Sequence, residues 1–218
     1  MGLHGEKCQK VFAEELGCIE SPEIRDFVVA CFDKCCPKYF WTCPASTSGK
    51  YHPKLSLGRG GLIRHTKLAV WWGLELSRSQ DSPDHRWSRK KNHRHRGVHQ
   101  DVVTAALLLH DMRKNGIGLN GAGFPKEGSA KIGGSHGYDL ANMLIAEVLG
   151  GAITQRWQVL LLYGVASHMG VWTKEEQYIP WEIDDAETQA VALLVHQADY
   201  CASRKVDEIT ESLRVMPL

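Results

Sequence analysis

The sequence lacks the features that would place it in a membrane or give it a strong overall charge. No apolar run reaches the roughly 18 residues that a membrane-spanning helix needs. The opening residues, MGLHGEKCQK, contain neither the apolar segment of a signal peptide nor the Ser or Thr of a myristoylation signal. The formal net charge of +1 favours neither nucleic acid nor a lipid surface. We therefore expect a soluble cytoplasmic protein with no membrane partner.

The cysteines lack the spacing of a metal-binding or disulfide framework. There are seven of them, an odd number, and no two form a C-x-x-C pair. In a cytosolic protein we expect such cysteines to be reduced thiols. The alternative is a structural zinc site formed by Cys31, Cys35, Cys36 and Cys43.

The alternation of a half-buried strand is also missing, whereas apolar residues recur at helical spacing along most of the chain. The sequence therefore predicts an all-α, bundle-like domain. Ser21 and Pro22 are a clear start signal, as N-cap and first helical residue. We expect residues 1–50 to pack as a short helical extension on a main domain of residues 51–218, because they are too short for a core of their own. The predicted helices cover residues 6–17, 21–36, 62–76, 138–149, 154–170 and 184–205.

The most apolar helix candidate leads into a histidine–aspartate pair. Seven of the eight residues from Val102 to Leu109 are apolar, which predicts a helix buried on most of its faces, and His110 and Asp111 follow. An imidazole and a carboxylate at the edge of an apolar core need a partner, and a divalent cation suits both. The alternative is a helix that ends with two polar residues at the surface.

Four more residues of the same kind stand near the ends or on the inward sides of other predicted helices: His65, His136, His168 and Asp199. Each histidine by itself would fit a hydrogen-bonded core residue. Together with His110 and Asp111, they offer nitrogen and oxygen ligands from five separate segments, which is how helical bundles build metal sites. The pattern therefore predicts a metal site inside the bundle.

The order of these residues, H…HD…H…H…D, resembles that of the HD superfamily of metal-dependent phosphohydrolases. The local sequences that carry the resemblance are GGLIRHT at 60–66, HDMRK at 110–114, HG at 136–137, SHMG at 167–170 and HQADYCASR at 196–204. The similarity covers residues 51–205. The stretch YHPKLSLGRGGLIRHT is most similar to the HD domains of certain 3′→5′ exoribonucleases and some conjugative relaxases. Those exoribonucleases also carry an oligonucleotide-binding domain, which residues 1–50 do not resemble.

The resemblance implies an HD-domain helical bundle and an enzyme that uses two divalent ions, either Mn, Fe, Ni, Co or Zn, or else Mg. The implied reaction is hydrolysis of a phosphate ester or phosphodiester of a nucleotide or short nucleic acid, by a water that the two ions activate. Asp111 would bridge the two ions. The implied ligands are His65, His110, Asp111 and Asp199 for the first ion, and Asp111, His136 and His168 for the second.

The resemblance also implies roles for residues beside these ligands. Asp111 and Lys114 would be the catalytic residues, with Lys114 binding a phosphate oxygen of the substrate as a point charge. His52 could approach the substrate. His196 lies on the same side of its predicted helix as Asp199, where it would hold a metal ligand in place or pack in the core.

A basic segment is the least regular part of the sequence. Between His85 and Gln100 there are six Lys or Arg, four His and no acidic residue. We interpret residues 79–100 as a solvated loop that takes part in substrate choice. The alternative is an arm that contacts nucleic-acid phosphates, with Trp87 available for base stacking.

Residues 115–135 are rich in glycine, and Gly116-x-Gly118-x-x-Gly121 has the spacing of the dinucleotide-binding fingerprint. That fingerprint needs a strand before it, and none is predicted here. We predict instead a mobile loop beside the site, which also takes part in substrate choice.

Two other functions stay open on the sequence alone. One is a non-catalytic, metal-containing module that binds nucleic acid through the basic segment. The other is an HD-fold oxygenase with a di-iron centre of similar ligands. The substrate, the metal and the assembly state, a homo-oligomer included, also stay open.

Overall fold

The computed structural model describes residues 2–46, 52–80, 93–114 and 136–204. These residues form α-helices, short 3-10 helices and turns, with no strand among them. The α-helices are α1 (Leu3–Val11), α2 (Ala13–Gly17), α3 (Pro22–Cys35), α4 (Gly61–Gln80), α5 (His93–Leu109), α6 (His136–Glu147), α7 (Arg156–Ser167) and α8 (Ala186–Ala202). The prediction of an all-α fold is confirmed. None of these helices is long and apolar enough to cross a membrane.

Helix α5 runs through the middle of the bundle. Every residue from Asp101 to Met112 is buried, and α5 packs against α3, α4, α7 and α8. Helix α8 also packs against α4 and α7, and α6 packs against α7. The chain that follows Leu109 therefore stays inside the bundle. Because His110 and Asp111 are buried, the alternative of a polar pair at the surface is wrong.

The N-terminal helices share one apolar core with the rest of the chain. Helix α3 begins as the sequence predicts, with Pro22 at its first turn and the hydroxyl of Ser21 accepting a hydrogen bond from the amide of Ile24. It packs against α1, α5 and α6. Phe32 of this helix packs with three aromatic rings outside it, those of Phe12, Phe40 and Trp41. The N-terminal segment thus covers the bundle, while the division into domains at residue 50 stays a prediction.

The basic segment is more helical than predicted. Residues 79 and 80 belong to α4, and residues 93–100 belong to α5, so the prediction of an irregular loop over 79–100 is wrong at both ends. Hydrophobic spacing detects only the buried part of a helix, whereas backbone hydrogen bonds extend it into polar residues at little cost once it has nucleated. Residues 81–92, with Trp87, and residues 115–135 lie outside the described residues.

All seven cysteines lie in the described ranges, where they form no disulfide. Burial raises the pKa of the Cys8 thiol to about 12, and burial also raises the pKa values of Cys31 and Cys35. These groups are therefore protonated at neutral pH and behave as small apolar side chains. The side-chain groups of the described residues that could hold a metal ion include no cysteine, so the zinc alternative finds no support there.

Candidate metal centre

Six polar side chains from five helices or helix ends meet at the centre of the bundle. They form two groups that could each hold a metal ion, with the candidate ligand atoms of each group within 4.8 Å of one another. All six residues are buried. The first group consists of His65 on α4, His110 and Asp111 after α5, and Asp199 on α8; the second consists of Asp111, His136 at the start of α6, and His168 at the end of α7.

Asp111 belongs to both groups because its two carboxylate oxygens point to different histidines. Oδ2 lies 3.3 Å from Nε2 of His65 and 3.5 Å from Nε2 of His110. Oδ1 lies 3.1 Å from Nε2 of His136 and 3.4 Å from Nε2 of His168. A carboxylate placed in this way can bridge two cations, one on each oxygen.

The distances between the candidate ligand atoms of each group match the distances between neighbouring ligands of one metal ion. Two ligands about 2.1 Å from one ion, at 90–110° to each other, lie roughly 3.0–3.4 Å apart. Nε2 of His65 lies 3.0 Å from Oδ1 of Asp199 and 3.4 Å from Nε2 of His110. Nε2 of His168 lies 2.9 Å from Nε2 of His136. The buried histidine and aspartate groups therefore could bind metal ions.

Two of the imidazole rings are oriented by the helices that they follow. Nδ1 of His110 donates a hydrogen bond to the carbonyl of Leu107 at 2.6 Å, and Nδ1 of His168 donates to the carbonyl of Val165 at 2.7 Å. Because a carbonyl can only accept, each bond places a proton on Nδ1 and turns Nε2 toward the cluster. Histidines that bind metals are commonly held through their other ring nitrogen in this way.

A glycine brings the second pair of histidines together. A β-carbon at Gly137 would lie 2.6 Å from the carbonyl oxygen of Val165 and 2.9 Å from Nδ1 of His168. The start of α6 can therefore approach the end of α7 only with glycine at this position. His136, which directly precedes Gly137, reaches His168 because of this close approach.

The carboxylates of the cluster are held in their charged form. Burial favours the neutral form of Asp111, but Lys114 and His110 outweigh it and hold the pKa of Asp111 well below its usual value. Burial likewise opposes ionisation of Asp199, and hydrogen bonds from His110 and His65 lower its pKa well below the usual value. Burial would lower the pKa of His110, but the two carboxylates raise it to about 10, so without an ion the ring carries a second proton that a bound metal would displace. Two buried carboxylates that stay ionised attract cations.

Burial lowers the pKa of His168 to about 4, and burial together with the nearby Lys114 lowers the pKa of His52 to about 3. Both rings are therefore neutral at physiological pH, and for the candidate ligand His168 this is the form that binds metals.

The three other residues for which the sequence predicts a role also lie at the cluster. Nζ of Lys114 lies 2.7 Å from Oδ2 of Asp111, in an ion pair at the edge of the site. The ring of His52 packs edge to face on that of His65, with the ring centroids 5.2 Å apart. Nδ1 of His196 donates a hydrogen bond at 2.8 Å to the backbone carbonyl of His168. The roles in catalysis, substrate contact and ligand support stay predictions.

A cavity of about 330 Å³ opens beside the cluster. Lys114, His52, His168, His196 and Asp199 lie in its wall. Further wall residues were not singled out by the sequence reasoning: Met169, Trp172, Tyr200, Ser203 and Arg204. They lie close behind His168 and Asp199 in the chain, but Met169 and Trp172 follow the end of α7, and Ser203 and Arg204 follow the end of α8. Helical spacing from the two ligands therefore does not predict their place in the wall.

Comparisons with protein-family models, with curated proteins and with solved structures found no match to this chain.

Proposed function

We propose that this protein is a metal-dependent phosphohydrolase of the HD superfamily, which cleaves a phosphate ester or phosphodiester of a nucleotide or short nucleic acid. The observation that supports it most is the position of Asp111, whose two oxygens face two separate histidine pairs. A site for one structural ion would not need a carboxylate shared between two groups.

The donor set fits divalent transition metals. Each group combines imidazole nitrogens with carboxylate oxygens, which suit Mn, Fe, Co, Ni or Zn better than Mg, an ion that prefers oxygen ligands. His65, His110, Asp111 and Asp199 would hold one ion, and Asp111, His136 and His168 the other. Bound there, two such ions would lower the pKa of a water molecule and stabilise the charge of a phosphate in hydrolysis.

The remaining residues support a substrate with negative charge. Lys114 lies in the wall of the cavity beside Asp111, where its ammonium group would pair with a phosphate oxygen. His52 lies in the same wall and is neutral, so it would offer the substrate a hydrogen bond without adding charge. His196 would hold the His168 segment through the backbone carbonyl and thereby position a ligand.

Metal stoichiometry tests the two-ion arrangement directly. After loading with Mn²⁺ and dialysis, we expect about two ions per chain in the wild type, and about one in either His65→Ala or His136→Ala. Asp111→Ala should weaken both sites. His99→Ala is the control, because His99 pairs with Glu187 outside the cluster and its loss should leave two ions. One ion per wild-type chain, or an unchanged count in His136→Ala, would contradict the arrangement.

Hydrolysis tests the activity itself. A screen of nucleoside triphosphates, nucleoside monophosphates, cyclic nucleotides, dinucleoside polyphosphates and short RNA or DNA, with Mn, Mg, Co and Ni in turn, should find a substrate. Asp111→Ala should abolish its cleavage while the circular dichroism spectrum keeps its helical content. Full activity in Asp111→Ala would end the proposal, and so would the absence of hydrolysis in a protein that holds two ions.

A further inference from the structure

Two exposed aromatic side chains stand close to the metal centre, next to the residues that form it. Trp172 lies four residues after His168, at the end of a short 3-10 helix, and its side chain is 57% exposed. Tyr200 directly follows Asp199 on α8 and is 44% exposed. Both line the cavity that Lys114 also lines. The described wall of this cavity therefore combines flat apolar surfaces with a cation.

The ring of Tyr200 is held in place by its helix neighbours. The guanidinium of Arg204, two residues after the end of α8, lies 3.8 Å from the centroid of the Tyr200 ring, a cation–π contact. The imidazole of His196, one turn before it, lies 6.2 Å from the same ring. An aromatic side chain held in this way can receive a flat ligand without first losing much rotational freedom.

The size and chemistry of the cavity indicate what it holds. Small-molecule sites have volumes of about 300–1,000 Å³, so a cavity of about 330 Å³ is suited to one compact group rather than to several. Exposed aromatic rings beside cationic side chains are the combination with which proteins bind nucleotides, because every base has a face that stacks. A sugar phosphate without a base would leave uncovered the ring of Trp172 and the face of the Tyr200 ring that Arg204 does not occupy.

We propose that this cavity binds a single nucleobase of the substrate, stacked against Trp172 and Tyr200, while the phosphate lies toward Lys114 and the histidine–aspartate cluster. The inference rests on the proposed hydrolase function and narrows it to substrates that present one nucleoside unit to the site. It also assigns Trp172 and Tyr200 as the residues that distinguish a nucleotide from a plain sugar phosphate.

The test compares two ligands that differ only in the base. The probes are the phosphonate analogues of adenosine 5′-monophosphate and of ribose 5-phosphate, in which a methylene replaces the ester oxygen so that neither can be hydrolysed. Isothermal titration calorimetry of the Mn²⁺-loaded full chain measures their binding. We expect the adenosine compound to bind on the order of tenfold more tightly, since stacking of one base on an aromatic side chain has about that effect.

Variants identify where the base lies. Trp172→Ala and Tyr200→Ala should each reduce the difference between the two probes to a few-fold, whereas Trp172→Phe and Tyr200→Phe, which keep a ring, should largely retain it. Trp71→Ala is the matched control, because Trp71 is 52% exposed on α4 and does not line the cavity. All of these side chains are exposed, so the variants should keep the wild-type melting temperature, which is measured first.

The outcomes separate this inference from the proposed function. Equal binding of the two probes, or a difference that survives both alanine variants, would overturn the inference, as would no binding of the adenosine compound to a chain that holds Mn²⁺. The proposed function would still stand in these cases if the same sample hydrolysed any phosphate ester. If instead the adenosine compound binds through Trp172 and Tyr200 but no ester is cleaved, the inference about binding holds and the hydrolase function fails.

Discussion

Gly170 and His196 approach each other so closely that no side chain fits between them. A β-carbon at position 170 would lie 2.2 Å from Cε1 of His196. Gly170 also has φ +58°, a left-handed conformation that other residues adopt only at a cost. The His196 ring held against it donates its hydrogen bond to the carbonyl of His168. Gly170 thus lets α8 hold the segment that carries a candidate metal ligand.

Gly170→Ala should therefore harm both stability and the metal site. The left-handed conformation alone costs about 1–2 kcal/mol with a β-carbon, and displacing His196 should add to that cost. We also expect weaker binding of Mn²⁺, because the His168 segment loses its hydrogen bond. Urea unfolding and Mn²⁺ titration measure the two effects.

Gly150→Ala is the matched control for this change. Gly150 has φ +65°, but a β-carbon there meets no atom within 4 Å. The alanine variant therefore has only the cost of the left-handed backbone conformation. The two variants should differ in the free energy of unfolding, and only Gly170→Ala should lose Mn²⁺ affinity. Equal effects on stability together with unchanged Mn²⁺ affinity would show that the His196 contact does not position His168.

Phe32 tests whether the N-terminal helices belong to the same folding unit as the metal centre. Phe32 is fully buried, and its ring centroid lies 5.5 Å from that of Phe12 and 5.4 Å from that of Phe40. Phe32→Ala should lower the free energy of unfolding by about 3–5 kcal/mol, through lost burial and the cavity that remains. The unfolding transition, followed by circular dichroism in urea, should stay single.

Leu3→Ala serves as the comparison for Phe32, since Leu3 is 76% exposed on α1 and its loss should change stability by no more than about 0.5 kcal/mol. A separate early transition in Phe32→Ala, with the rest of the chain unchanged, would mean that the N-terminal helices fold on their own.

Local signals in the sequence account for the parts of the fold that were predicted well. The start of α3 was predicted to the residue, because Ser21 and Pro22 favour a helix start whatever lies around them. The helical part of residues 93–100 is not predicted, because no apolar spacing marks it and it continues the helix of the buried segment that follows. The start of a helix thus follows from local residues, while its extension into polar residues depends on the segment that it continues.

The candidate site also has features that the sequence predicts and features that it does not. The meeting of His65 with Asp199 was inferred from a pattern of residue types and a family resemblance, and the structure brings these two side chains within 3.0 Å. Gly137 and Gly170 stand in the HG and SHMG sequences that carry the resemblance, but their packing roles were not foreseen, because these depend on what a β-carbon would strike on another helix. The same holds for Trp172, whose place in the cavity wall depends on how α7 and α8 pack. The local sequence does not indicate which residues of different helices come into contact.

Asp185 should make the stability of the fold depend on pH in acid, because it caps α8, the helix that carries Asp199. It is the N-cap of α8, and its Oδ2 accepts hydrogen bonds from the hydroxyl of Thr188 at 2.5 Å and from its amide at 2.9 Å. These bonds, together with the ion pair to Arg156, lower the pKa of Asp185 to about 2 from the usual 3.8. Since the folded state has the lower pKa, the charged carboxylate stabilises the fold fully above about pH 5, and this stabilisation is lost as the pH falls through 3.8 toward 2.

Asp185→Asn removes the charge at every pH and therefore isolates this effect from the other carboxylates. At pH 7 the variant should be less stable than the wild type, and the difference in the free energy of unfolding should shrink steadily between about pH 5 and pH 2. Thermal or urea unfolding of both proteins over that range measures it. A difference that stayed constant down to pH 2 would mean that Asp185 acts on α8 through hydrogen bonds that do not require its charge, and that its carboxyl group titrates alike in the folded and unfolded chains.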